Sequence, residues 1–287
     1  MSKYLTTAAS TEFDNEVKHQ YQGAGKLRNT VTVRTGVVGG SYKFARMGRG
    51  LANQKATQAD VTPMNVSHTR PTATLENWNA PEYTDIFDQA EVNYEEKIEL
   101  ATTIAKAISR REDQIIIDTM AGITYAATND GNPNTGLIYD VSATANFGMA
   151  CLRRARQHFQ ELEVEGGEQH IALEAGALQQ LLEDATVTSS DYNTVKALVR
   201  GEIDSYMGFM FHVIGSRAEG GLPGVTGDMI AFAWDKPAIG LAIGIDMKTT
   251  VDWVAQKTSW LANGMFKAGA VAREAQGVVK IVYDETI

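Results

Sequence analysis

Cys151 and His158 are the pair in this 287-residue chain whose types and spacing come nearest to nucleophilic chemistry. Seven residues apart, they fall on one side of a helix, where the imidazole could take the thiol proton. Yet Cys151 also continues an apolar stripe of Phe147, Ala150, Ala155, Phe159 and Leu162, with Arg153, Arg154 and Arg156 off it. A small thiol on such a stripe packs as a hydrophobe, and that structural role is the expected one. The other candidates fail on their own chemistry. Asp130-Gly131-Asn132-Pro133-Asn134 sets oxygen side chains at positions one, three and five of a calcium loop. Its sixth position is Thr135 where glycine is needed and its twelfth is Val141 where glutamate is needed, so a plain turn is expected. Gly220 to Gly227 lacks both the Gly-Lys-Ser/Thr ending of a phosphate loop and the GxGxxG spacing of a dinucleotide site, and reads as a mobile loop. Glu161, Glu163, Glu165 and Glu168 flank Gly166-Gly167 as a solvated turn. Trp78, Trp234, Trp253 and Trp260 read as core or interface anchors. No catalytic residue, cofactor site or metal site is expected.

The elements that position these residues begin with one long helix. From Asn93 to Thr128, Ile98, Ala101, Ala105, Ile108, Ile115, Ile116, Thr119, Met120 and Ile123 recur in steps of three and four around a polar gap at Glu112. Proline is absent, the first glycine is Gly122, and Glu95, Glu96 and Glu99 sit in the opening turns, where the helix dipole favours them. About 30 residues at 1.5 Å each span about 45 Å, more than the roughly 30 Å width of a small domain. A broad subunit covered by copies of itself accounts for that length.

Before the helix, residues up to about 30 form a polar arm. Val31, Val33, Gly39-Gly40, Tyr42 and Phe44 then read as a two-stranded ribbon, with further alternation at Val61–Val66 and Thr72–Trp78. The stretch from about Gly36 to Ala80 has little apolar content, and an isolated two-stranded ribbon is marginal in water, so it should lie on something else. Beyond the helix, the chain alternates: helix at 147–162, strand at 170–173, helix at 177–185, and strands at 206–214 and 229–233. Closing strands follow around 251–253, 266–272 and 279–283. The fold class expected is α+β.

Composition narrows the function. With 44% hydrophobic and 21% charged residues the chain can bury a sizeable core. A single cysteine rules out an internal disulfide and points to a reducing compartment, and five scattered histidines form no zinc pattern. The amino terminus shows no apolar signal region, and the most apolar stretch, Met229–Ile245, is broken by Asp235, Lys236 and Pro237; neither membrane nor secretory pathway is expected. The net charge of −9 is uneven: the first 60 residues carry +5 and the remainder −14. Such a basic front can grip nucleic acid or the acidic body of a neighbouring copy, and its dispersed charges favour the copy.

Three stretches carry a family resemblance: TVTVRTGVVGGSYKFARMGRGLANQKA, NWNAPEYTDIFDQAEVNYEEKIELATTIAKAISRREDQIIID and GMFKAGAVAREAQGVVKIVYDE. With the order arm, ribbon, long helix, mixed α/β region and closing strands, the whole chain resembles the major capsid proteins of tailed bacteriophages, the Hong Kong 97-type fold. The resemblance implies an N-terminal arm at 1–35, an extended loop at 36–80, a peripheral domain from 81–135 and 246–287, and an axial domain at 136–245. It implies a virion shell of hexamers and pentamers around double-stranded DNA, bound without sequence specificity and assembled in the bacterial host cytoplasm with a separate scaffolding protein and a portal. Lys18, Lys26, Arg28, Tyr42, Lys43, Phe44 and Arg46 are the expected subunit-interface residues. Lys43 and Lys55 are available for the lysine cross-link some relatives make, but no asparagine and assisting glutamate can be matched. The rival readings are an encapsulin-like nanocompartment shell and a mixed α/β enzyme using Cys151 and His158.

Overall fold

A 26-residue helix, α1 (Glu96–Ala121), runs through the middle of the protein and spans about 39 Å. The computed structural model describes residues 23–85, 96–142, 146–164, 167–183, 205–215, 217–225 and 227–284. The expected helix start at 93–95 lies outside them. At the other end α1 stops seven residues earlier than the periodicity suggests. Gly122 closes the last turn on Asp118 O, the Tyr125 hydroxyl caps Met120 O at 2.6 Å, and Thr124–Ala126 leaves as a strand. Ile104, Ile108, Ile116, Ile117 and Met120 are the buried residues of its apolar stripe. Glu112 and Asp113, at the centre of that stripe, are buried too.

One face of α1 lies on a four-stranded sheet made of β1 (Thr32–Arg34), β6 (Glu76–Asp85), β14 (Ile239–Val254) and β15 (Ser259–Ala272). The order is β1-β14-β15-β6, with β1 parallel to β14 and the other pairs antiparallel. Alternation along β15 turns Ala262, Gly264, Phe266 and Ala268 toward the helix. A side chain at Gly264 would put its Cβ 2.3 Å from Ile104 and 2.4 Å from Ile108, so a bare backbone sets how closely helix and sheet approach. Pro81 sits in β6, an edge strand, where its missing N–H costs no ladder bond.

The second sheet has eight strands. Its strands are β7 (Thr124–Ala126), β8 (Thr135–Asp140), β9 (Gln169–Leu173), β10 (Ser205–Tyr206), β11 (Phe209–Val213), β12 (Gly224–Val225), β13 (Asp228–Asp235) and β16 (Val278–Asp284). They run in the order β10-β11-β9-β13-β16-β8-β7, with β12 on β13. Strand alternation splits this sheet between two cores. Ala231, Ala233, Ile171, Leu173, Val279, Ile281 and Tyr283 pack against α2 (Met149–Glu161) and α3 (Ala175–Glu183). Phe232, Trp234, Ala172 and Val278 turn the other way and join the core beneath α1, with Leu27 and Val31. The strand β16, grouped on sequence with the long helix, thus hydrogen-bonds between β13 and β8.

The ribbon differs from its sequence reading. Val31–Val33 and Tyr42–Phe44 do not pair with each other: β1 runs parallel to Gly240–Ala242, whereas β2 (Ser41–Lys43) pairs with β5 (Thr72–Thr74). Burial decides this, because Val31 packs into the α1 core and glycines with positive φ at 36 and 39 turn the chain away before β2. A short pair, β3 (Arg46–Met47) with β4 (His68–Thr69), extends the ribbon. The alternation at Val61–Val66 forms no strand, and Val61 is 77% exposed. At its base the ribbon has a small core of its own, Phe44, Ala73, Leu75 and Ala242.

Gly264→Ala should destabilise the subunit by about 1–3 kcal/mol, the usual cost of overpacking a well-filled interior. Gly40→Ala, where a Cβ meets nothing within 4 Å, should be close to neutral. Chemical denaturation midpoints of the two variants check this; equal effects would show that helix and sheet can separate freely at Gly264.

Candidate functional site: a carboxylate junction beneath the arm

Cys151 and His158 make no reactive pair. Cys151 is buried on α2 among Leu152, Ala155 and Phe159. His158, also buried, has its Nε2 2.9 Å from Gln276 O; facing a carbonyl, that nitrogen must carry the hydrogen and donate. Burial holds its pKa below the usual imidazole range, so the ring is neutral. The Asp130 loop is the plain turn expected: Asn129, Asp130 and Asn132 each spend a side-chain oxygen on a backbone N–H two residues on. Among the described residues no three His, Cys, Asp or Glu side chains gather as metal ligands.

The chemistry of the structure lies where the sequence showed only a gap. Asp113 is 1% exposed at the middle of α1, and its carboxylate joins three segments of the chain. Lys26 N–H donates to it at 2.9 Å, Leu27 N–H at 2.9 Å and the Arg217 guanidinium at 3.1 Å. Burial pushes its pKa up, and the two backbone donors and Arg217 pull back. The arm lies flush on the helix here, because a Cβ at Gly25 would come within 2.4 Å of Ser109 O. Outer contacts hold it further: Lys26 Nζ to Val213 O at 2.8 Å, and Trp234 Nε1–H to Thr30 O at 3.0 Å.

The glycine-rich loop supplies the third segment. Instead of being free along its length, it is pinned at its start. Arg217 Nε donates to Gly220 O, Gly220 N–H donates to Gln114 Oε1 at 2.7 Å, and Glu219 lies 3.7 Å from Arg111. Gly220 has φ +70°, and its Cβ would stand 2.6 Å from Arg110 O, so only glycine lets this loop touch the helix backbone.

Glu112 is less well served. Its nearest cation is Arg28 Nε at 3.6 Å, while that guanidinium makes two short bonds to Asp246, at 2.8 and 2.7 Å. Its Oε1 accepts no hydrogen bond. Burial is the chief reason that its pKa rises to about 7; Arg28 lowers it, whereas Asp246 and Asp113 raise it.

The residues expected at an interface separate. Lys18 lies outside the described residues. Lys26 and Arg28 bind α1, β11 and Asp246 of their own subunit. Phe44 packs against Gly240, and Arg46 reaches the carbonyls of Pro133 and Arg273 and the side chain of Asn134. Tyr42 stacks edge-on with Phe44 at 4.9 Å, and Lys43 is exposed. Beyond this base the ribbon carries bare apolar side chains: Met47 is 68% exposed, Leu51 81% and Met64 57%.

The molecule is thus a long helix strapped to an arm, two sheets and a ribbon whose tip carries bare apolar side chains. The model of the phage capsid protein family matches residues 5–285, and the chain belongs to that family. Its structure is similar to the capsid of the cyanophage P-SCSP1u, at 15% identity, covering 99% of this chain and 95% of that one with a TM-score of 0.74. It is similar to the capsid of the native GTA particle, at 14% identity, 99% coverage of both chains and a TM-score of 0.73. The capsid of Ralstonia phage GP4 matches at 11% identity, over 96% of this chain and 95% of that one, with a TM-score of 0.71. No curated protein matches. The α+β fold is the Hong Kong 97-type capsid fold, and the protein is a major capsid shell protein of the virion.

Asp113→Ala should cost about 3–5 kcal/mol, the range for breaking a buried charged pair, and residues 23–30 should lose amide-exchange protection first. Glu112 tests a sign. Its folded pKa, about 7, exceeds the ordinary 4.5, so between these values the folded chain holds a proton that the unfolded chain has lost. Its contribution therefore falls as pH rises through that window. Relative to the parent, Glu112→Gln should gain about 1–3 kcal/mol at pH 8 and nothing at pH 4. A gain equal at both values would show that Glu112 is not protonated in the folded subunit.

Proposed function

We propose that this capsid subunit divides into an arm (1–35), an extended loop (36–80), a peripheral domain around α1 (81–135 and 246–287, with β16 entering the neighbouring sheet) and an axial domain (136–245). Arm and ribbon are the elements by which hexamers and pentamers join into an icosahedral shell. Each ribbon leaves its own subunit at the Phe44 and Arg46 anchor and lies across the next copy. The observation that carries this reading is the pairing of a nailed base with a bare apolar tip, Leu51, Val61 and Met64. Buried on a neighbour, those side chains would each contribute about 1.5–3 kcal/mol, and a closed shell repeats the contact at every subunit.

The shell encloses double-stranded DNA without sequence-specific binding. An acidic body suits this role, since a strongly basic wall would immobilise an entering genome through many phosphate contacts. The protein acts as a structural element and not as an enzyme, bound to no cofactor and no membrane. It assembles in the bacterial host cytoplasm on a separate scaffolding protein and a portal. Tyr42, Lys43 and, in the arm, Lys18 face neighbouring copies, while Lys26, Arg28, Phe44 and Arg46 set the angle at which arm and ribbon leave.

Deleting Gly48–Ala59 should leave the free subunit folded, with its denaturation midpoint little changed, and abolish closed particles in electron micrographs. An unfolded subunit would place this tip in the internal core and overturn the assignment. Particles of the parent containing DNA fit the phage shell, whereas particles filled with protein cargo would favour a nanocompartment.

A further inference from the structure

Where the ribbon leaves the body, a cavity of about 330 Å³ opens between them. Met47, Gly48 and Arg49 of the ribbon form one wall, the turn Leu162–Val164 after α2 a second, and Asp235, Pro237, Glu274 and Gln276 much of the remainder. Its charge is one-sided. Three carboxylates, Glu163, Asp235 and Glu274, line it with one guanidinium, Arg49, whose Nη2 is 3.4 Å from Leu162 O and which pairs with no carboxylate among the described residues. The cavity also meets the carbonyl end of α2, where the helix dipole favours a cation and the one basic residue of the last turn, His158, is neutral.

Two buried polar groups of the lining lack partners. Asp235 is 7% exposed; its Oδ1 lies under Gly167 and accepts no hydrogen bond, which leaves Oδ2 to the cavity. Gln276 is 4% exposed; its backbone O holds His158, and its side-chain amide finds no partner among the described residues. Burial is the chief cause that lifts the Asp235 pKa to about 6, while the Lys236 N–H pulls it down and the charge of Glu274 pushes it up. The nearby cations are spent elsewhere, Lys236 on Glu168 at 2.6 Å and Arg46 on the carbonyls of Pro133 and Arg273. A carboxylate so stripped of water gains from any cation that reaches it.

The walls say which cation. Among the described residues no three His, Cys, Asp or Glu side chains gather as metal ligands, and the space would hold roughly ten waters at about 30 Å³ each, far more than a bare ion fills. Leu162, Val164 and Pro237 add apolar surface beside the carboxylates. An ammonium brings three donors that turn to unlike acceptors, and an aliphatic chain behind it covers the apolar wall. We infer that this cavity binds a primary ammonium ion on an aliphatic chain: the ammonium seats on Asp235 and the Gln276 amide oxygen, and the methylenes lie along Leu162, Val164 and Pro237. Two sources share that chemistry, a free alkyl diamine and a lysine side chain of a second copy. The site itself is built within one subunit, whether or not the ribbon crosses to a neighbour.

Calorimetric titration of the full-length free subunit with 1,4-diaminobutane at pH 8, where Asp235 is ionised, tests the site. One saturable site is expected, 1-butanol should give no binding heat, and Asp235→Asn should weaken the affinity about ten-fold or more, as removal of a buried charged partner does. No saturable binding up to about 10 mM, or an Asp235→Asn affinity within about two-fold of the parent's, would overturn the inference. Displacement of the diamine by equimolar Mg²⁺ would overturn it as well, because a metal would then be the occupant. Should Asp235→Asn fail to fold, Glu274→Gln at the exposed rim decides: weakening by about three-fold or more supports the site, and unchanged affinity overturns it. Closed particles separate the sources. Particles that bind the diamine as the free subunit does assign the site to a free amine, and particles that exclude it assign the site to a lysine of a second copy.

Discussion

A buried carboxylate cannot be left alone, and in this subunit that single requirement sets the arrangement around α1. Asp113 is stripped of water at the centre of an apolar stripe, where an unpaired charge would cost several kcal/mol. Its partners come from two places distant in sequence: two adjacent backbone N–H groups of the arm, and Arg217 from the loop after β11. Arm, helix and loop must therefore converge before any of them is settled. Gly25 and Gly220 lie beside the junction for the same reason, since a Cβ at either would hold its segment off the helix. The apolar cores then close around a polar centre: Leu27 and Val31 of the arm bury beside Ile116, Ile117 and Trp234.

Much of this architecture is legible in the residues. The existence and buried face of α1, the two amphipathic helices after it and most closing strands follow from periodicity, which reports a buried face directly, although α1 ends seven residues before the pattern does. The centre of α1 does not. A glutamate and an aspartate interrupting the stripe read as a gap because periodicity registers polarity without its partners. The available signal was position: Glu112 stands four residues from both Ile108 and Ile116, in register with the most buried row. The strand pairing of the ribbon is hidden for a related reason. Val31–Val33 and Tyr42–Phe44 alternate alike, and nothing local says that the first pairs with Gly240–Ala242 and the second with Thr72–Thr74. Strand partners more than 200 residues away are a property of the whole chain.

The two sheets divide the mechanical work. The β14–β15 hairpin, α1 and β6 form a broad plate, and β13 and β16 tie the second sheet to it by sending Phe232, Trp234 and Val278 into the core below α1. Because β16 closes the chain inside the second sheet, the two halves cannot separate without breaking a strand at the centre of that sheet. The ribbon has no such tie. Its base is packed and Arg49 reaches Leu162 O at 3.4 Å, while Leu51, Val61 and Met64 further out are bare.

Two groups buried near the arm have opposite proton preferences. Neutral Glu112 favours the folded state below about pH 7, and neutral His170 favours it above about pH 4. Across the interval between the ordinary values of the two side chains, one contribution falls with rising pH while the other grows. Their slopes oppose, so the two contributions partly offset each other. Protonating Glu112 also removes its attraction to Arg28, whose two bonds to Asp246 remain. At Asp113 the donors, two backbone N–H groups and an arginine, do not titrate in this range. An arm held by donors that keep their protons depends on its acceptor alone: the Asp113 carboxylate, whose pKa burial raises, decides how far acid can go before the junction loses its charge.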